Sequence, residues 1–200
     1  MSRIVSFGCS LTFGQSLPDC VLGKKTDLPS QYAWPSVLAR LMRRPCKNYG
    51  IPGASNLEIL HCISSVTEIF PGDVVIVMWS FLERSCVLES HTVKQIGPWI
   101  DRPEIKTYYQ HLHSDYTDRF LYPILVRHGD ALVRKHTNNV YHMEARTTDC
   151  FPLPTLGINI DDAERYIDAT YTDRGFDGVH PGIIKHEQLA KKIYAILQAN

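Results

Sequence analysis

The sequence predicts an α/β protein whose central parallel sheet is covered by helices on both faces. Three observations carry this reading: a β-branched and aromatic run near the first residue, an unbroken apolar run from Val74 to Trp79, and amphipathic stretches between the strand-like runs. Parallel neighbours need crossover connections, and the alternation of runs supplies them.

Arg3 to Phe7, ended by Gly8, reads as a buried strand. Ser30 precedes Trp34, Val37, Leu38 and Leu41 at helical spacing, with Pro35 tolerable in the first turn and Arg40, Arg43 and Arg44 on the far side and at the end. A short strand is expected at Cys46 to Tyr49, then a glycine-containing turn, then a helix capped by Ser55 and running to about Phe70. Pro71-Gly72-Asp73 stops that helix, and Val74 to Trp79, apolar without alternation, has the pattern of a strand covered on both faces. From Ser85 to about His113 the periodicity lapses, which predicts an irregular surface insertion or lid. Tyr116, Phe120, Ile124, Leu125, Leu132 and Val133 mark a helix from Asp115 to about Lys135, kinked or divided at Pro123. A strand at Val140 to Ala145, a loop from Arg146 to Arg174 and a helix from about Pro181 to Leu197 complete the chain.

At 200 residues the chain fits a single domain, 1–200, with the insertion around 85–113 inside it. Its 21 basic and 21 acidic residues cancel, so no overall field draws it to nucleic acid or an anionic surface. Its apolar stretches fall far short of the ~20 residues that span a bilayer, and no membrane partner is expected. The six cysteines lack C-x-x-C spacing and read as free thiols. With no signal-peptide core after Arg3, a cytoplasmic location is the expectation. Nothing specifies an oligomeric state.

Ser10 follows the first strand within Gly8-Cys9-Ser10-Leu11-Thr12-Phe13-Gly14, where a strand-to-helix turn would hold its hydroxyl at the carboxyl edge of the sheet. A helix starting there would favour an oxyanion beside Ser10. Taken alone, a serine in this place is more often just an N-cap. Asp177-Gly178-Val179-His180-Pro181-Gly182 precedes the last helix, and an acid three residues before a histidine can turn back to accept the imidazole N–H. This motif too has a plain alternative, a capping Asp177 with a solvated His180.

Together the two motifs resemble the hallmark blocks of the SGNH (GDSL-like) hydrolases. Gly8-Cys9-Ser10-Leu11-Thr12 looks like the G-D-S-L block, Asn48-Tyr49-Gly50-Ile51-Pro52-Gly53 like the N-x-G-x-x-G block, and Asp177-Gly178-Val179-His180 like the D-x-x-H block, in family order along the whole chain. The resemblance implies a flavodoxin-like three-layer α/β/α sandwich with four to five parallel strands. It also implies a serine hydrolase with Ser10 as nucleophile, His180 as base and then acid, and Asp177 orienting it. The oxyanion would be held by the backbone N–H groups of Ser10 and Gly53.

Two departures stand out. Cys9 replaces the aspartate that usually precedes the serine, and as a rival nucleophile it would need a base and an electropositive setting that the sequence does not reveal. After the central strand the usual G-x-N-D is replaced by Trp79-Ser80-Phe81-Leu82-Glu83-Arg84, which leaves Ser80 or Arg84 to stand in for the asparagine donor. Loss of one such donor costs about 10²- to 10³-fold in other serine hydrolases. The plain reading of Glu83 and Arg84 is an ion pair on the rim.

No metal or cofactor is expected. His91, His111, His113, His128, His136 and His142 form no H-E-x-x-H, and no phosphate-binding glycine motif occurs. Trp34, Trp99, Tyr108 and Tyr109 could build a sugar or acyl platform, with core packing the default. The leading expectation is a serine esterase or deacylase acting on a small-molecule O-acyl ester, with a carbohydrate acetyl ester to be tried first. An acyltransferase using the same triad and a non-catalytic binding module on the same fold are the alternatives.

Overall fold

The computed structural model describes residues 2–20, 28–90, 92–146, 149–154, 156 and 173–199. In chain order the elements are β1 (Ile4–Gly8), α1 (Ser10–Phe13), α2 (Trp34–Met42), β2 (Cys46–Gly50), α3 (Asn56–Ser65), β3 (Val74–Trp79), β4 (Ser85–Leu88), β5 (Val93–Ile96), α4 (Pro103–His111), α5 (Asp115–Arg134), β6 (Val140–Glu144) and α6 (Ile183–Ala199).

Four strands form one parallel sheet in the order β2-β1-β3-β6, with Phe7 opposite Tyr49 and Val77, and Val77 opposite His142. Every residue of β1 and β3 is buried, as an unbroken apolar strand demands when both faces are covered. Helix α2 packs on α6 and α3 on α5, which makes the two helical layers of a three-layer α/β/α sandwich. Trp34, Trp79 and Tyr122 are the largest fully buried side chains, and Tyr122 meets Trp79 edge-on at 6.5 Å.

The order places β2 and β3 on opposite sides of β1, so the chain reverses its winding direction between β1 and β3. A crevice opens at the carboxyl ends of strands at such a point. Ser10 follows β1 there and Ser80 follows β3.

Three segments depart from the sequence reading. Helix α3 ends at Ser65 rather than Phe70. The hydroxyls of Ser64 and Ser65 both bond back to the His61 carbonyl at 2.7 and 2.9 Å, and Val66 and Thr67 are β-branched, so the helix is opposed from both directions. The 85–113 insertion is ordered as an antiparallel hairpin of β4 and β5 followed by α4. Its four-residue strands are too short for alternation to register, and Pro103 occupies the first turn of α4, where proline is tolerated. Helix α5 continues through Pro123, held down on either side by buried Tyr122 and Val126. Much of the 146–174 loop reading, from 157 to 172, lies outside the described residues.

Candidate active site

Ser10 opens α1 directly after β1, and α1 is a single four-residue turn with the extended Cys9 as its N-cap. The helix field expected beside Ser10 therefore reduces to the N–H groups of one turn. The neighbouring Asn48-Tyr49-Gly50 stretch clamps this turn: Asn48 Nδ2 donates to the Thr12 carbonyl at 2.7 Å, while Asn48 Oδ1 accepts from Gly50 N–H at 2.8 Å. A Cβ on Gly50 would lie 2.4 Å from the Phe13 nitrogen, so only glycine lets β2 come so close to the Ser10 turn.

Asp177 and His180 form the expected pair. His180 Nδ1 lies 2.6 Å from Asp177 Oδ2, which assigns the proton to Nδ1 and leaves Nε2 free. Asp177 Oδ1 accepts from the backbone N–H groups of Val179 and His180, each at 3.0 Å, in a turn that passes through Gly178 at φ +69. Burial tends to raise the Asp177 carboxyl, but hydrogen bonds from Ser16, from these two amides and from the imidazole outweigh it and hold the group far below the usual carboxylate range.

The Ser16 contact was not foreseen from sequence. Ser16 is fully buried at φ +68, and its Oγ donates to Asp177 Oδ2 at 2.6 Å. Its carbonyl also accepts from Phe176 N–H at 2.9 Å, so one residue fixes both the carboxylate and the loop carrying it. Ser16 and Asp177 are 161 positions apart, and no local spacing signals the pairing.

Ser10 and His180 line one cavity of about 180 Å³ together with Leu11, Phe81, Pro181, Val179 and the cations Arg84, Arg146, Arg174 and Lys185. Among the described residues no hydrogen bond joins Ser10 Oγ to His180. Apo catalytic contacts are often long and tighten when substrate binds. Of the two stand-ins for the missing asparagine, Arg84 lines this cavity and Ser80 does not. Asn56 takes the Ser80 backbone in both directions, at 2.6 and 3.2 Å, and the Ser80 hydroxyl accepts from Arg84 Nη1 at 3.2 Å. The Ser80 side chain thus supports Arg84. No Glu83–Arg84 ion pair forms; the guanidinium lies over the rings of Phe81 and Trp99 at 4.4 and 4.7 Å. Gly53 is not among the residues lining the cavity, and Gln95 of β5 crowds it while donating to the Pro52 carbonyl at 2.8 Å.

Cys9 is fully buried and outside the cavity lining, and all six cysteines are free thiols. Burial pushes the Cys46 and Cys62 thiols up to about 11. His142 is not a solvated surface histidine: it is buried between Trp79 Nε1 and Asp130, at 3.2 and 2.9 Å, and burial lowers its pKa. His113, Asp115 and Asp118 bring ligand atoms within 4.8 Å of one another outside the cavity, and His113 Nε2 lies 2.8 Å from Asp118 Oδ2. His91 lies outside the described residues. The four aromatic candidates divide: Trp34 is core, Tyr109 donates to the Glu83 carbonyl at 2.7 Å, and Trp99 and Tyr108 line a separate groove on the insertion. No described helix is long and apolar enough to cross a membrane.

This architecture, with the serine turn after β1 and the Asp–His loop before the last helix, is the SGNH (GDSL-like) hydrolase fold. Solved structures agree. A member of the lipolytic protein G-D-S-L family from Veillonella parvula superposes with a TM-score of 0.51 at 14% identity, with 100% of both chains covered. A carbohydrate esterase family 2 enzyme with a carbohydrate-binding domain, from Corynascus thermopiles, gives a TM-score of 0.55 at 14% identity, covering 99% of this chain and 66% of that one. A carbohydrate esterase described as having an active site with divergent catalytic and non-catalytic binding functions gives 0.54 at 10% identity, covering 100% and 65%. No protein-family model matches the chain, and no curated protein matches it.

Proposed function

We propose that the protein is a serine esterase or deacylase that cleaves a small O-acyl ester through an acyl-Ser10 intermediate. The observation that carries this reading is the Asp177–His180 bond of 2.6 Å, made by a histidine that shares its cavity with Ser10. Ser10 Oγ attacks the acyl carbonyl and passes its proton to His180 Nε2. The oxyanion that forms is held by the backbone N–H of Ser10, with Arg84, which lines the same cavity, supplying the charge-assisted donor in place of the asparagine. Collapse breaks the ester C–O bond, and His180 returns the proton to the leaving alcohol. Water, activated by the same histidine, then releases the acyl group; an acceptor hydroxyl in its place would make the reaction a transfer. Carbohydrate acetyl esters are the first class to test, because solved carbohydrate esterases share the fold.

A non-catalytic binding module is the second reading. The unformed Ser10–His180 hydrogen bond and the missing asparagine favour it.

Hydrolysis of p-nitrophenyl acetate, butyrate and octanoate by the wild type and by Ser10→Ala, with fluorophosphonate labelling located by mass spectrometry, decides between them. Label on Ser10 and loss of turnover in the variant are expected. A folded protein that neither labels nor turns over any ester would leave the binding module.

A further inference from the structure

We propose that Trp99, on the insertion, is a positioning residue for the reaction: its ring holds the Arg84 guanidinium ready beside Ser10, so that the insertion completes the oxyanion site rather than covering it as a lid. In the esterase reading, on which this inference rests, Arg84 takes the part of the missing asparagine donor.

A donor to an oxyanion accelerates the reaction only when it is aimed before the charge develops. A short asparagine meets that demand easily, whereas the long arginine side chain has far more rotamer freedom to lose. Arg84 is held from several sides. Its Nη1 donates to the Ser80 hydroxyl at 3.2 Å, and its guanidinium lies over the Phe81 ring at 4.4 Å and the Trp99 ring at 4.7 Å. Ser80 and Phe81 are near neighbours in the chain and fix Arg84 only relative to its own turn. Of these three contacts, only that of Trp99 comes from another part of the fold, and an aromatic face attracts a guanidinium laid against it.

The insertion presents this ring in a defined place. Gly97-Pro98-Trp99-Ile100 is a closed turn in which the Ile100 N–H donates to the Gly97 carbonyl at 3.0 Å. A Cβ on Gly97 would lie 2.3 Å from Trp99 Cη2, so the ring keeps its place only with glycine there. Strand β5, which leads into the turn, is anchored outside the insertion, where Gln95 Nε2 donates to the Pro52 carbonyl at 2.8 Å and to Glu58 Oε2 at 3.0 Å. Helix α4, which follows the turn, is anchored next to Arg84 itself: the Tyr109 hydroxyl donates to the Glu83 carbonyl at 2.7 Å. Burial pushes the Tyr109 phenol up to about 12, so it keeps the proton that it donates. Trp99 remains half-exposed, and its replacement should therefore disturb the core little.

Turnover of p-nitrophenyl acetate by the full chain tests this, with kcat and KM measured separately. Trp99→Leu is expected to lower kcat about tenfold, a part of the roughly 10²- to 10³-fold that loss of a whole donor costs, with KM changed less than about twofold. Its Tm should stay near that of the wild type. Trp99→Phe, which keeps a ring against the guanidinium, should restore most of the activity. Gly97→Ala, whose Cβ displaces the ring, should reproduce the loss seen in Trp99→Leu. In an Arg84→Gln background, Trp99→Leu should lower kcat no further, because the residue that it positions is gone. If Trp99→Leu lacks a native circular dichroism spectrum, Gly97→Ala takes its place in this cycle. An unchanged kcat in folded Trp99→Leu or Gly97→Ala, a loss confined to KM, or an equal loss with and without Arg84 would overturn the proposal and leave the esterase standing on Ser10. A wild type that neither turns over the ester nor takes a fluorophosphonate label on Ser10 would remove the esterase reading and this role of Trp99 together.

Discussion

Replacing Ser16 with alanine removes one hydroxyl from a buried position and tests how the Asp177 carboxylate is held. The lost contact is a 2.6 Å hydrogen bond to an ionised carboxylate, and bonds to charged groups contribute about 1.5–3 kcal/mol. At one pKa unit per ~1.4 kcal/mol, the Asp177 carboxyl should rise by about one to two units. The folded pKa of Asp177 is depressed, so the stability it contributes is present above the unfolded value near ~3.9 and is lost as pH falls through the folded one. Ser16→Ala should therefore destabilise the protein by about 1.5–3 kcal/mol at neutral pH, or roughly 3–12 °C in Tm for a chain of this size. The gap from wild type should narrow below about pH 4. Ser16→Gly loses the same hydroxyl but adopts φ +68 freely, and should recover part of the loss. Urea denaturation across pH, with the Asp177 carboxyl followed by carbon NMR, provides the measurement. A Ser16→Ala loss under about 0.5 kcal/mol at neutral pH would refute the claim that this contact makes the net contribution of a bond to a charged group.

Two further outcomes follow from the geometry. Gly178→Ala meets open space and should cost only the left-handed backbone penalty of about 1 kcal/mol, whereas Gly50→Ala drives a Cβ against the Phe13 backbone and should cost several times more by the same denaturation assay. His186, fully enclosed in α6, accepts from the Trp34 backbone N–H at 3.1 Å, and burial, reinforced by His180, lowers its pKa to about 3. Because the unfolded chain protonates this histidine near ~6.5, stability should fall as pH drops from there towards about 3. His186→Gln, which keeps an acceptor, should flatten that slope in a pH series of thermal melts.

The sheet was legible because its strands are buried on both faces. The unbroken apolar residues of β3 can satisfy no amphipathic alternative; β1 is shifted by one residue from the sequence reading, and β6 ends one residue earlier. The Asp177–His180 pair was equally legible, since a three-residue spacing closes within one turn. Features that depend on distant partners were not. Ser16 carries no local sign of its role, and nothing near Arg84 in the chain announces that Trp99 will lie against it. The hairpin of β4 and β5 escaped because its strands are short and mostly half-exposed, so neither periodicity nor burial marks them.

The bond from Ser16 to Asp177 also says when this site comes into being. Its two ends lie 161 positions apart in a chain of 200, so closing the contact spans most of the polypeptide, while the helices and hairpins between them close far smaller loops. Asp177 and His180 meet the residues that follow the Ser10 turn only when the C-terminal loop docks on Ser16. If the proposed esterase reading holds, a folding intermediate built on β1, β2 and β3 would place Ser10 and remain chemically silent, and the onset of fluorophosphonate labelling during refolding would mark the docking of the C-terminal loop.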